Sequence, residues 1–316
     1  MFIINKDSIK FFFIVFIIFI LSIFVSLRPE ELTYDYDIYK IMYDSPEIRS
    51  GELLFQFLRF IFSFFEYGFI YLLFIHCFVA LSIKVYCVNK TNDINLILFL
   101  VFYAFSYFIL WEMTQIRIGL AISFYMLIFF IKSKNWKIFF AILSIITHTS
   151  LIFLYIPLLI HKLFKGNFIL FLTFSSISAY LLNEIIFFTG YIAYDASEYS
   201  ADYNLLTLKN FIILSLVYYC YKFNSVNLEF ITKNSMVSLY LIIVAFFVGN
   251  IYPAISIRLT DIATYLIILS FILTENNKSS IILKILLITL ISLFYFNLSI
   301  LSDKAIFDLE VFLSIF

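Results

Sequence analysis

Nine stretches of this chain read as membrane crossings: 9–27, 68–88, 95–111, 118–132, 167–187, 205–222, 234–251, 259–274 and 281–301. A span takes roughly 17–25 apolar residues, because the hydrocarbon core is about 30 Å thick and a helix rises about 1.5 Å per residue. In lipid each backbone N–H and C=O must be satisfied within its own segment, so such a chain folds as helices. Composition agrees: 64% of the 316 residues are hydrophobic and 13% charged, about half the usual globular share of charge. That excludes a soluble domain of this size, and equally the disordered, collagen-like and disulfide-stapled classes. The expected fold is all-α: a polytopic integral membrane protein of about 10–11 transmembrane helices, some short or re-entrant, with an outward-facing cavity. The whole of 1–316 reads as a single transmembrane domain without internal repeats. No small-residue cleavage site follows the run from Phe11 to Leu27, so it reads as a retained first helix.

Charge bias sets the orientation. Lys6 and Lys10 put the N-terminus in the cytoplasm, so the acidic loop 28–51 lies outside. Lys84 and Lys90 flank the next inner loop, and Lys132, Lys134 and Lys137 mark the one after. The segment 138–160 is long enough for one span, but Lys162 and Lys165 follow it directly. A hairpin with His148 at its apex keeps both basic clusters inside and places the acidic loop 188–204 outside. Its arms of about 12–13 residues reach only about 18–20 Å, which sinks His148 below the outer boundary, at the floor of a cavity. Under this reading 17 of the 21 Asp and Glu fall outside and 13 of the 21 Lys and Arg inside.

All five arginines (Arg28, Arg49, Arg59, Arg117 and Arg258) nevertheless fall on the outer side. Positive charge on that side has no topological purpose, whereas a planar fork of donors suits phosphate or carboxylate. Arg117 and Arg258 each stand at the outer start of a span, where intramembrane charge is expensive and marks function. Snorkelling for Arg117 and an i, i+3 clip between Arg258 and Asp261 are the plain alternatives. In 52–66 the polar residues Glu52, Gln56, Arg59, Ser63 and Glu66 recur at helical spacing, which predicts an interfacial or re-entrant helix of about four turns with one polar stripe. It either pairs Arg59 with Glu66 or Glu52, or lines a cavity.

His148 stands among Thr147, Thr149 and Ser150 and is the best general base, since imidazole titrates near neutrality. His76 reads as a packing contact and His161 as a headgroup residue. Tyr34, Tyr36, Tyr39 and Tyr43 in the first outer loop, and Tyr191, Tyr194, Tyr199 and Tyr203 in the second, serve an aromatic belt or sugar stacking. Asp35-Tyr36-Asp37 is a DxD, too short to establish a metal site. Cys77, Cys87 and Cys220 lie in apolar segments without metal-ligand spacing. No phosphate-loop, dinucleotide-binding or hydrolase motif is present, and no basic aromatic patch suggests nucleic acid.

An ordered set of short motifs carries a resemblance. Asp35-Tyr36-Asp37-Ile38-Tyr39 is followed by Glu52-Leu53-Leu54-Phe55, Arg117-Ile118-Gly119-Leu120-Ala121, His148-Thr149-Ser150 and Arg258-Leu259. Over about residues 9–275 the chain resembles the EpsG-type, Wzy-like polysaccharide polymerases of O-antigen, capsule and exopolysaccharide assembly. Where many members have a Gly-rich stretch in the first loop, this chain has Glu31-Leu32-Thr33-Tyr34-Asp35. The resemblance implies a metal-independent membrane glycosyltransferase of the bacterial cytoplasmic membrane, without cofactor. Its substrate would be oligosaccharide carried on undecaprenyl pyrophosphate, and a chain-length regulator would be its further partner. It implies His148 and Glu52 as catalytic, Arg117, Arg258 and Arg28 as pyrophosphate ligands, and Asp35, Tyr36, Tyr39, Arg59 and Gln115 as substrate contacts. A membrane O-acyltransferase and a lipid-linked-sugar flippase are the alternatives.

Overall fold

The computed structural model describes residues 6–33, 35–45, 52–164, 167–188, 207–222, 229–249, 251–302 and 305–314. Among these the chain is helical, with one isolated bridge between Thr33 and Phe307. Four helices have the length and composition to cross a membrane: Gly68–Asn89, Glu229–Val248, Pro253–Ile272 and Lys278–Leu301. A fifth span results if Asp93–Ser106 and Phe108–Thr114, bent by 65° against each other, count together. Shorter apolar helices such as Leu53–Phe62, Ile116–Phe130 and Thr149–Leu163 stand beside them. The all-α class that the hydropathy pattern predicts, with short and bent elements among its helices, is thus observed. The loop 188–204, apart from Phe188, lies outside the described residues, as does Arg49.

The chain divides into two compact units, Met1–Leu151 with Ile285–Phe316, and Ile152–Lys284. In the first, α4 (Gly68–Asn89) is the hub, packed against α1 (Lys6–Ser26), α3 (Leu53–Phe62), α5 (Asp93–Ser106) and α6 (Ile116–Phe130). Helix α7 (Lys134–Thr147) lies against α6 and α3. The outer loop carries α2 (Tyr36–Asp44), whose Tyr36 and Tyr39 enter a cluster with Phe55, Phe69, Leu72 and Ile116. A π-helix, Phe108–Thr114, joins α5 to α6. Its bend is held by Tyr107, whose ring meets Trp111 at 4.5 Å and whose hydroxyl donates to Tyr295 at 3.1 Å. Gly119 lies where α6 passes this π-helix. An added Cβ there would fall 2.8 Å from the Trp111 carbonyl oxygen, so only glycine allows the approach.

The bend brings together two charges from separate apolar runs, Lys84 of α4 and Glu112 of the π-helix. They form an ion pair 2.6 Å long with side chains 0% and 1% exposed. Lys84 also donates to the Gly119 carbonyl at 2.9 Å, and the Tyr103 hydroxyl donates to Glu112. Hydropathy windows treat 95–111 as one straight span, whereas the turn at Tyr107 carries Glu112 back to α4.

In the second unit, α11 (Glu229–Val248) and α12 (Pro253–Ile272) form the core, with α8 (Ile152–Leu163), α9 (Phe168–Phe188) and α10 (Leu208–Lys222) packed around α11. Buried serines tie the central pair: Ser238 donates to the Ala263 carbonyl at 3.1 Å and Ser256 to that of Ala245 at 2.9 Å. Pro253 opens α12 at a position where its missing N–H costs nothing. Lys284, expected at an inner loop, is fully buried. It donates to the carbonyls of Ile272 and Thr274 at 2.9 Å and to Asn276 Oδ1 at 2.7 Å, neutralising the C-terminal end of α12.

Candidate functional site

Three helix ends of the first unit converge on one carboxylate. Glu52 is the residue before α3, in extended conformation, and its side chain makes no cap to that helix. It reaches instead into the protein, 7% exposed, where Oε2 receives Arg117 Nη1 at 2.7 Å and Oε1 pairs with His148 Nδ1. Arg117 is the second residue of α6. His148 ends α7 in an extended conformation, and a 3-10 turn over Thr149–Leu151 follows. The helix break expected within 138–160 therefore falls on His148, and the boundary between the units falls just after it, between Leu151 and Ile152.

Two aromatic rings support the guanidinium. Arg117 Cζ lies 5.1 Å from the centre of Tyr39 and 5.8 Å from that of Phe55. Both rings are buried, and burial raises the Tyr39 phenol above its ordinary value, with Arg117 opposing. Helices α6 and α7 have 15 and 14 residues and join through 131–133, so Arg117 and His148 stand about 21–22 Å from that connection.

The geometry permits a division of roles. An ionised carboxylate only accepts hydrogen bonds, and Glu52 lies between Arg117 and His148. With His148 Nδ1 as the donor to Glu52, Nε2 keeps the lone pair. That is the tautomer a general base requires, with a carboxylate behind it.

Arg28 is buried and spends its fork on the protein: Nη1 on the Val25 carbonyl at 2.5 Å, Nη2 on that of Met113 at 2.7 Å and Nε on Thr33 at 3.2 Å. Its guanidinium also covers the Tyr36 ring at 5.1 Å. It fastens the outer loop to the π-helix. Asp35 precedes α2 without capping it, and Gln115 precedes α6. The stripe predicted over 52–66 splits in two: α3 stops at Phe62, Glu52 turns to Arg117, and Arg59, Ser63 and Glu66 line a separate cavity. Arg258 lies in α12 of the second unit, where Asp261 pairs with Lys209 at 2.7 Å. The Lys84–Glu112–Tyr103 network went unseen in the sequence. Its one signal was an acid and a base inside apolar runs, which are costly there unless paired.

The sequence model of the EpsG family matches residues 11–310. No curated protein and no solved structure matches the chain.

Proposed function

The chain belongs to the EpsG family, which places it in polysaccharide biosynthesis, and from that premise we propose that it is a polymerase of lipid-linked repeat units. It joins oligosaccharides carried on undecaprenyl pyrophosphate at the outer face of the bacterial cytoplasmic membrane. The observation that carries this reading is the Glu52 carboxylate held between Arg117 and His148.

The reaction needs a base and a charge sink. The acceptor sugar hydroxyl attacks the anomeric carbon of the growing chain, and its proton passes to His148 Nε2. The new glycosidic C–O bond forms as the anomeric carbon–phosphate oxygen bond breaks, and the electron pair leaves on the pyrophosphate. Glu52 stabilises the charged imidazole, and Arg117, seated on Tyr39 and Phe55, lies beside the leaving charge. Arg28 contributes by fixing the loop that carries Tyr39. For Arg258 a pyrophosphate contact is a separate proposal, tested by its own lysine variant.

The test is the lipid-linked sugar profile of a deletion strain complemented with wild type or His148→Ala at matched membrane levels. The reading expects single repeat units to accumulate on the outer leaflet in the deletion and in the variant. Inner-leaflet accumulation would indicate a flippase, and normal chain lengths lacking acyl groups an acyltransferase.

A further inference from the structure

The first unit holds a second concavity on the other flank of α2. It lies between α2 and the turn from α3 into α4, has a volume of about 660 Å³, and falls in the range of about 300–1,000 Å³ of small-molecule sites. Tyr36, Lys40 and Tyr43 line it from α2 at i, i+4 and i+7, a single helical stripe. Tyr39, beside that stripe, supports Arg117 instead. One short helix therefore separates the cavity from the Glu52 cluster and touches both.

The walls are aromatic and held in place. Tyr36 and Tyr43 each pack on Phe69 with ring centres 5.4 Å apart. Gly68 closes the floor: an added Cβ would stand 2.0 Å from the Phe62 carbonyl oxygen and 2.1 Å from the Tyr43 hydroxyl. Tyr67 adds an exposed ring at the mouth.

The polar lining decides the ligand class. It offers two cations, Lys40 and Arg59, and two carboxylates, Asp44 and Glu66, so its formal charge is zero. Lys40 is already paired with Asp44 at 3.0 Å, and Arg59 donates to the Met42 carbonyl at 3.3 Å. A phosphate would meet two carboxylates and little uncommitted positive charge. A sugar needs the reverse: donors and acceptors side by side for its hydroxyls, and ring faces for its C–H surface. We propose that this cavity is a saccharide subsite that receives a phosphate-free part of the glycan, apart from the Arg117 cluster. The proposal deepens the polymerase reading and rests on it for the identity of the glycan.

The probe is the repeat-unit oligosaccharide, released by mild acid from the lipid-linked pool of the producing strain and freed of phosphate. Saturation-transfer NMR with the full chain in lipid nanodiscs should show transfer to its ring protons, undiminished by equimolar inorganic pyrophosphate. Glu66→Gln and Tyr67→Ala, both at exposed positions that leave the core untouched, should each weaken binding by about tenfold or more. No transfer in the wild type, transfer unchanged in both variants, or displacement by pyrophosphate would overturn the subsite. The two readings fail separately. Glu66-dependent binding with full polymer in His148→Ala keeps the subsite and removes the proposed polymerase mechanism. Loss of polymer in His148→Ala without Glu66-dependent binding does the opposite.

Discussion

Glu52→Gln changes one oxygen for nitrogen and tests the site with almost no change of shape. The carboxylate faces two partners, Arg117 Nη1 in an ion pair at 2.7 Å and His148 Nδ1. An amide has one accepting oxygen and one donating nitrogen, so it cannot satisfy both. With the oxygen turned to Arg117, the amide nitrogen meets His148 Nδ1 and drives the imidazole to its other tautomer. Nε2 then carries hydrogen and cannot take a proton. A hydrogen bond to a charged group contributes about 1.5–3 kcal/mol. Losing the one to His148 in the transition state slows turnover by roughly 10–150-fold. The variant also leaves the largely buried Arg117 without its anion, so protein level in the membrane must be matched before rates are compared. The assay is consumption of lipid-linked repeat units by purified protein in liposomes, read as the chain-length ladder. Wild-type turnover in Glu52→Gln at matched level would refute the assignment of Nε2 as base.

Four further outcomes are expected. Arg117→Lys keeps the charge but loses the planar fork over Tyr39, and the polymer-length profile should shift toward single units with turnover down about 10–150-fold; an unchanged profile would make Arg117 structural. Lys84→Met should destabilise the protein by about 3–5 kcal/mol by leaving Glu112 buried and unpaired, and Glu112→Leu in the same chain should recover much of it, both read as thermal unfolding in detergent. Gly68→Ala should lower the unfolding temperature, because its methyl group would collide with the Phe62 carbonyl oxygen; a wild-type melt would show that the α3–α4 turn can open. An impermeant thiol reagent applied to intact cells should label Ser197→Cys and not Lys165→Cys; the native thiols are buried and give little background, and reversed labelling would invert the orientation.

What could be read from the sequence follows from what each signal measures. Apolar runs gave the helical class, because lipid leaves no other solution. They do not locate a bend such as that at Tyr107, because hydropathy registers solvent preference alone. The helix break at His148 was legible from lysines on both sides of a segment. Glu52, Arg117 and His148 could each be singled out as a charge or imidazole at an expensive place. Their convergence on one carboxylate depends on contacts 65 and 96 residues apart in sequence, which no local pattern contains. The contacts of Arg28 are equally illegible: its acceptors include the backbone carbonyls of Val25 and Met113, and carbonyls leave no trace in a sequence.

The bridge from Thr33 to Phe307, with the Asp308 N–H donating to the Leu32 carbonyl at 3.0 Å, ties the loop that carries α2 to the second stretch of the first unit, Ile285–Phe316. Between its two partners the ribosome must deliver the whole of Ile152–Lys284, which forms a compact unit of its own. The segment bearing Tyr39 thus emerges before that unit but meets its anchor only after it. A chain cut before Phe307 would hold Glu52, Arg117 and His148 without that fastening.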